Sequence, residues 1–172
     1  MYNVIHPCDL PARDGTGRPH NAKIDSMKKA QHPPWMPAPQ YSATLSGLSL
    51  NLLVRDVSAA VAFARAVLAA EVVYEDEDFA VFRRPGCEWM VHADHTYLDH
   101  PLSTSLAGGV ERGVGAELRL YGLDPDAAES AARANGYTVF VPAKDKPHGL
   151  REAYLLDPDG YLWVPGVLLP RP

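Results

Sequence analysis

One short pattern occurs twice in this chain, and that repeat limits the architecture more than any local propensity does. Asp56-x-x-Ala59-Ala60 returns 68 residues later as Asp124-x-x-Ala127-Ala128, and each Asp stands between an apolar strand pattern and an alanine-rich helical one. Leu48 to Val54 mirrors Ala116 to Gly122. Val72-Val73-Tyr74 mirrors Thr138-Val139-Phe140 at a spacing of 66, and Gly86-Cys87-Glu88-Trp89 mirrors Gly160-Tyr161-Leu162-Trp163 at 74. Four matches in one order imply a single supersecondary unit used twice with small insertions.

The second copy is the more legible. Gly115 to Tyr121 alternates, with Ala116, Leu118 and Leu120 on one face and Glu117, Arg119 and Tyr121 on the other, the period of a half-buried strand. Asp124-Pro125 opens a helix, because Asp offers an N-cap acceptor and Pro at the first helical position forfeits no needed N–H. Gly136 closes it. Thr138 to Val141 reads as a strand stopped by Pro142, Lys144 to Gly149 as a polar loop, and Arg151 to Leu156 as the next strand. Asp157-Pro158-Asp159-Gly160 is a turn before a last strand, Tyr161 to Val164. The order is β-α-β-β-β. In the first copy, Leu48 to Val54 puts Leu50, Leu52 and Val54 on one face and Ser49, Asn51 and Leu53 on the other. A helix from Asp56 to about Ala70 follows, with Ala60, Val61, Phe63, Ala64, Val67 and Leu68 as its apolar surface.

Residues 1–44 hold seven of the sixteen prolines and show no hydrophobic periodicity, so this arm cannot build its own core and needs another surface to lie on; Trp35, Met36 and Tyr41 are its apolar anchors. His6, Cys8, His20 and His32 match no compact zinc spacing. The expected domain spans residues 45–169, as units 45–95 and 115–169 joined by a crossover containing Pro101, Gly108-Gly109 and Gly113. A net charge of −5 with 16 Lys and Arg argues against a nucleic-acid surface. No apolar run approaches the roughly 18 residues that cross a bilayer, and Pro7, Asp9 and Pro11 break any signal-peptide core, so a cytoplasmic protein is expected.

Val54-Arg-Asp-Val57 leading into the first helix, Leu123-Asp-Pro-Asp-Ala-Ala128 into the second, and Asp157-Pro-Asp-Gly160 before the last strand resemble the vicinal oxygen chelate superfamily, which includes glyoxalase I, extradiol dioxygenases and the fosfomycin- and bleomycin-resistance proteins. Tyr74-Glu-Asp-Glu-Asp-Phe-Ala80 and Gly149-Leu-Arg-Glu152 look most like the bleomycin-resistance branch. The resemblance implies an α+β fold of paired βαβββ units, a curved mixed sheet around a concave pocket, and association as a homodimer with the arm lying across the partner. Carrying the strand alternation onto that fold, the pocket face takes Ser49, Asn51, Glu88, Met90, His92, Glu117, Arg119, Tyr121, Leu162 and Val164, with Tyr97 and His100 reaching in from the crossover or staying in solvent. Trp89 and Trp163 fall on the core side.

Metal-using members hold a divalent ion with His or Glu from the first and last strand of each unit, and the matching positions here are Ser49, Met90, Glu117 and Val164. Only Glu117 is a competent ligand for such an ion; a one-residue slip would add His92 and still leave a site short. No metal and no cofactor are expected. Glu117 and Arg119 project from the same strand face, either as an ion pair or as base and oxyanion partner; His92 is a further acid–base candidate. The acidic run Glu75 to Asp78 reads as a solvated hairpin. Two functions follow from the resemblance. One is sequestration of a small hydrophobic or aromatic metabolite or antibiotic. The other is an enzyme of the superfamily's type, an isomerase, cyclase, lyase or dioxygenase, using Glu117 and His92 as acid–base groups or residual ligands.

Overall fold

The two ten-residue helices each start where a carboxylate can take up orphan backbone N–H groups. Asp56 accepts from the backbone N–H of Ser58 (2.8 Å) and Ala59 (3.3 Å), and Asp124 accepts from Asp126 (2.9 Å) and Ala127 (3.4 Å), each N-cap worth about 1 kcal/mol. The computed structural model describes residues 28–170, so His6, Cys8 and His20 lie outside the described residues. A short helix α1 (Ala38–Ser42) comes first. The first unit is β1 (Leu50–Val54), α2 (Val57–Ala66), β2 (Glu71–Glu75), β3 (Phe79–Arg84) and β4 (Cys87–Ala93). After a 3-10 turn (Asp94–Tyr97) and α3 (Ser103–Ala107), the second unit is β5 (Leu118–Tyr121), α4 (Pro125–Ala134), β6 (Thr138–Asp145), β7 (Leu150–Leu156) and β8 (Leu162–Leu168).

The strands form two four-stranded sheets of identical topology, β1-β4-β3-β2 and β5-β8-β7-β6, with the first pair of each parallel and the remaining pairs antiparallel. The repeat is thus an α+β arrangement of paired βαβββ units. The helix-bearing faces share one core: Leu52, Val54, Phe82 and Val91 pack with Phe63 and Val67 in the first unit, and Leu120, Ala153 and Leu155 with Ala128 and Ala132 in the second. Trp89 and Trp163 are both buried and meet across the units at 5.3 Å, and Phe63 meets Tyr137 edge-on at 5.0 Å.

Arg112 joins crossover and units. Its buried guanidinium donates to the carbonyl of Leu53 on β1 and to Asp94, and lies 3.4 Å from Asp159. Asp159, from the Asp157–Gly160 turn of the second unit, also accepts from the backbone and side chain of Arg55 in the first. The turn read from sequence is therefore also an inter-unit bridge.

Three boundaries differ from expectation. Helix α2 stops at Ala66 rather than near Ala70, because Ala69 takes a left-handed backbone (φ 47°) and Arg84 donates to the carbonyls of Leu68 and Ala69. Strand β6 runs through Pro142 to Asp145: it is an edge strand, and its register shifts between Val141 and Lys144, so the missing proline N–H costs no ladder bond. Strand β8 likewise continues past Val164 through Pro165 to Leu168, and the β7–β8 pairing skips Val164 and Pro165.

Candidate functional site

Each sheet has a far face, turned away from its helix, and the expected pocket residues belong to these two faces. On the first sheet Asn51 is registered with Met90 and Leu53 with His92, which puts the four on one side. Ser49 and Glu117 stand just ahead of β1 and β5, both exposed. On the second sheet Arg119 is registered with Val164 and Tyr121 with Gly166. The two sets remain on separate sheets. Among the described residues no hydrogen bond or ring contact links them.

The first far face holds a polar group and an aromatic group. His92 Nδ1 lies 2.8 Å from Asn51 Oδ1, and the Asn51 amide donates to the Tyr97 hydroxyl at 3.0 Å. Phe79 and Tyr97 flank the imidazole at 4.5 and 5.0 Å, and His100 lies 5.3 Å from Tyr97. Tyr97, one of the two crossover residues, is thus placed on His92. Burial pushes the His92 pKa down to about 4, so the ring is neutral at neutral pH.

Beside it, the arm covers the sheet. Tyr41 is buried against Val81 and Met90, with Met36, Val73, Tyr74 and Phe79 around them. Trp35 stacks on Tyr74 (5.9 Å between centroids, 19° between planes), and the Tyr41 hydroxyl donates to Glu88 at 3.2 Å. Burial, with Glu88 adding to it, pushes the Tyr41 pKa up to about 12. Glu88 and Met90, expected to face a ligand, lie beneath this segment, and Arg83 also pairs with Glu88 at 2.8 Å. Trp35, in the arm expected to lie across a partner, stacks within the chain on Tyr74 and keeps 45% of its surface exposed. The acidic run is not merely solvated either. Asp78 is buried, accepts from the backbone N–H groups of Lys29 (2.9 Å) and Ala30 (3.1 Å), and sits 2.6 Å from His95 Nε2. Burial alone would raise its carboxyl, but these donors outweigh it and hold it below the ordinary carboxylate range.

The second far face is organised by Arg119, which donates to Glu117 (2.6 Å), to the Tyr121 hydroxyl (3.1 Å) and to Glu152. The Tyr121 hydroxyl and then Glu117 are the main supports that raise the guanidinium further. Glu152 has no solvent exposure and also meets His148 Nε2 (3.2 Å), the Tyr154 hydroxyl (3.4 Å) and Lys146 (4.0 Å). Glu152 closes the Gly149-Leu-Arg-Glu152 motif, which by itself assigns it no role. The alternation of Glu152 and Tyr154 with Ala153 and Leu155 was the signal that would have placed it on this face. Val164 is buried and Leu162 half-buried, while Tyr121 is 64% exposed and Phe140 63%. No described segment covers this face as the arm covers the first.

The four positions where the superfamily places metal ligands do not make a donor set. Met90 lies under Tyr41, Val164 has no donor atom, Ser49 stands outside the strand, and the Glu117 carboxylate is engaged by Arg119. Among the described residues no group of three His, Cys, Asp or Glu side chains is placed to hold a metal ion. A cleft of about 830 Å³ lies elsewhere, between residues 29–32 of the arm, the start of α2 and the Glu75–Glu77 turn.

Comparison with solved structures gives 25% identity to a glyoxalase/bleomycin resistance protein/dioxygenase from Nocardioides, over 76% of this chain and 89% of that one, with a TM-score of 0.54. The fold is that of the vicinal oxygen chelate superfamily. TioX from Micromonospora sp. ML1 matches at 23% identity over 74% of this chain and 99% of its own (TM-score 0.52). The fosfomycin resistance protein FosX from Listeria monocytogenes matches at 19% over 72% and 94% (TM-score 0.53). No family model and no curated protein matches the chain. Among the described residues no helix is long and apolar enough to cross a membrane.

Proposed function

We propose that this superfamily member binds and sequesters a small hydrophobic or aromatic metabolite or antibiotic in the cytoplasm, without a divalent ion. The observation that supports the reading is the state of the second far face. Its polar groups are already engaged with one another, Arg119 with Glu117, Tyr121 and Glu152, while exposed Tyr121 and half-buried Leu162 offer aromatic and apolar area beside them. A fixed polar cluster within an apolar surface suits orientation of a bound molecule. The Glu117 carboxylate takes one hydrogen bond from the Arg119 guanidinium, an ion pair that suits a fixed polar anchor. The open face of one chain also suits a homodimer in which a partner completes the site.

One observation favours the enzyme reading: His92 is neutral at neutral pH, the protonation state a base requires. In that reading His92 takes a proton from substrate and the Asn51–Tyr97 pair fixes the ring. A thermal-shift panel of aromatic and glycopeptide compounds tests the proposal. The expected result is a stabilising hit that is lost in Arg119→Ala and Tyr121→Ala. A panel in which no compound stabilises the wild-type chain, or in which every hit survives both substitutions, contradicts it.

A further inference from the structure

The two units share one topology, yet their far faces are in different states. The second lies open. The first is filled by residues 35–41 of the chain's own arm. We propose that the first far face is a site for a planar aromatic group bearing a hydrogen-bond donor, a phenol or an aromatic amine, and that Trp35 and Tyr41 occupy it until such a ligand displaces them. The inference goes beyond the binding reading above: it adds a second site, on the other sheet, with its own ligand class and a built-in competitor.

The present occupant defines the chemistry. An indole stacks on Tyr74, and a phenol lies edge-on to Phe79 at 5.9 Å while its hydroxyl donates to the Glu88 carboxylate. The floor beneath is made for an apolar ring: Val81 has no exposure, Met90 is buried, and a register shift between Val72 and Tyr74 turns both Val73 and Tyr74 toward the arm. A ligand of this class reproduces each contact, a ring against Tyr74, Phe79 and Met90 and a donor to Glu88.

The occupant is also weakly built. Helix α1 has five residues and no side-chain N-cap, far below the length at which a helix persists unaided. The segment around it contains Pro33, Pro34, Pro37 and Pro39, and Trp35 keeps 45% of its surface in solvent. Tyr41 is the one side chain of residues 28–49 that is buried. Upstream, the backbone N–H groups of Lys29 and Ala30 tie the arm to Asp78. That tie lets residues 31–45 swing away while the chain stays tethered at the β2–β3 turn.

An arm that covers the face nine-tenths of the time weakens apparent affinity about tenfold, by the fraction of molecules that are competent. Proflavine, a planar ring system carrying amino donors, is the probe, titrated by fluorescence anisotropy into the full chain. The double variant Trp35→Ala/Tyr41→Ala is expected to bind it about tenfold tighter than wild type, and Glu88→Gln several-fold more weakly. In wild type the probe is expected to speed hydrogen exchange in residues 31–45, read by mass spectrometry. Near-UV circular dichroism from the Trp89–Trp163 contact reports that each variant is folded, and Trp35→Ala alone repeats the test should the double variant fail to fold. Equal or weaker binding by the arm variants, or slower exchange in 31–45 on adding probe, overturns the proposal and makes the arm a fixed wall. If probe binding is insensitive to the arm but lost in Arg119→Ala, the competitor fails and the binding reading stands. If neither chain binds proflavine, the competitor fails, and the compound panel alone decides the binding reading.

Discussion

Substituting His92 by Gln removes a titration that the fold suppresses. The ordinary His value of 6.5 falls to about 4 in the folded chain, chiefly through burial, with Asp76 opposing the change. The folded chain therefore holds fewer protons than the unfolded one between those values. Stability is complete above about pH 6.5, falls with pH through the window, and the loss is full below about pH 4. Linkage between the two values gives a loss of about 2 kcal/mol on going from about pH 8 to about pH 5. Gln keeps an amide within reach of Asn51 and carries no titrating proton. Urea unfolding of both proteins at the two pH values measures the difference. The remaining titratable groups are common to both chains, so the difference between the two drops isolates the His92 contribution. The wild-type drop is expected to exceed that of His92→Gln by about 2 kcal/mol; equal drops would refute the buried, neutral imidazole.

Three further outcomes follow from the same structure. Glu152→Ala leaves Arg119 and Lys146 facing a vacated, unexposed position, and is expected to cost about 3 kcal/mol in chemical denaturation, whereas Glu117→Ala, at an exposed pair, should cost less than about 1. Asp56→Ala and Asp124→Ala should each lower stability by about 1 kcal/mol, seen as a lower denaturation midpoint with an unchanged slope. Light scattering at high micromolar concentration should give twice the chain mass; a clean monomer would remove the partner-completed site.

The fold was legible because its determinants are local and repeated. Asp56 and Asp124 cap helices, Asp157–Gly160 turns the chain, and the alternation of Leu118 and Leu120 with Arg119 and Tyr121 sets two faces, and each signal lies within a few residues. The boundaries that moved depend on pairing. Whether Pro142 and Pro165 end a strand is decided by what the neighbouring strand needs from them, and Ala69 adopts a glycine-like conformation because the carbonyls before it find Arg84. The faces of Asn51, His92, Arg119 and Val164 were readable by the same alternation. What occupies those faces was not. Proline content showed that the arm needs a surface, but the docking of Trp35 on Tyr74 and of Lys29 on Asp78 spans 39 and 49 residues and leaves no periodic trace. Glu117 appeared as a lone carboxylate beside Arg119; its competition with buried Glu152 for the same guanidinium becomes visible only once β5 and β7 lie on either side of β8.

The central claim is that the chain holds its ligand without changing it. The most direct measurement takes a compound that stabilises the protein, incubates it with the full chain at saturation, and recovers it for mass spectrometry. The expected result is the compound returned with its mass and retention unchanged, in stoichiometric amount, with binding lost in Arg119→Ala. A product that accumulates over many turnovers, and that disappears in Glu117→Gln or His92→Ala while the compound still binds, would contradict the claim and make the protein an enzyme.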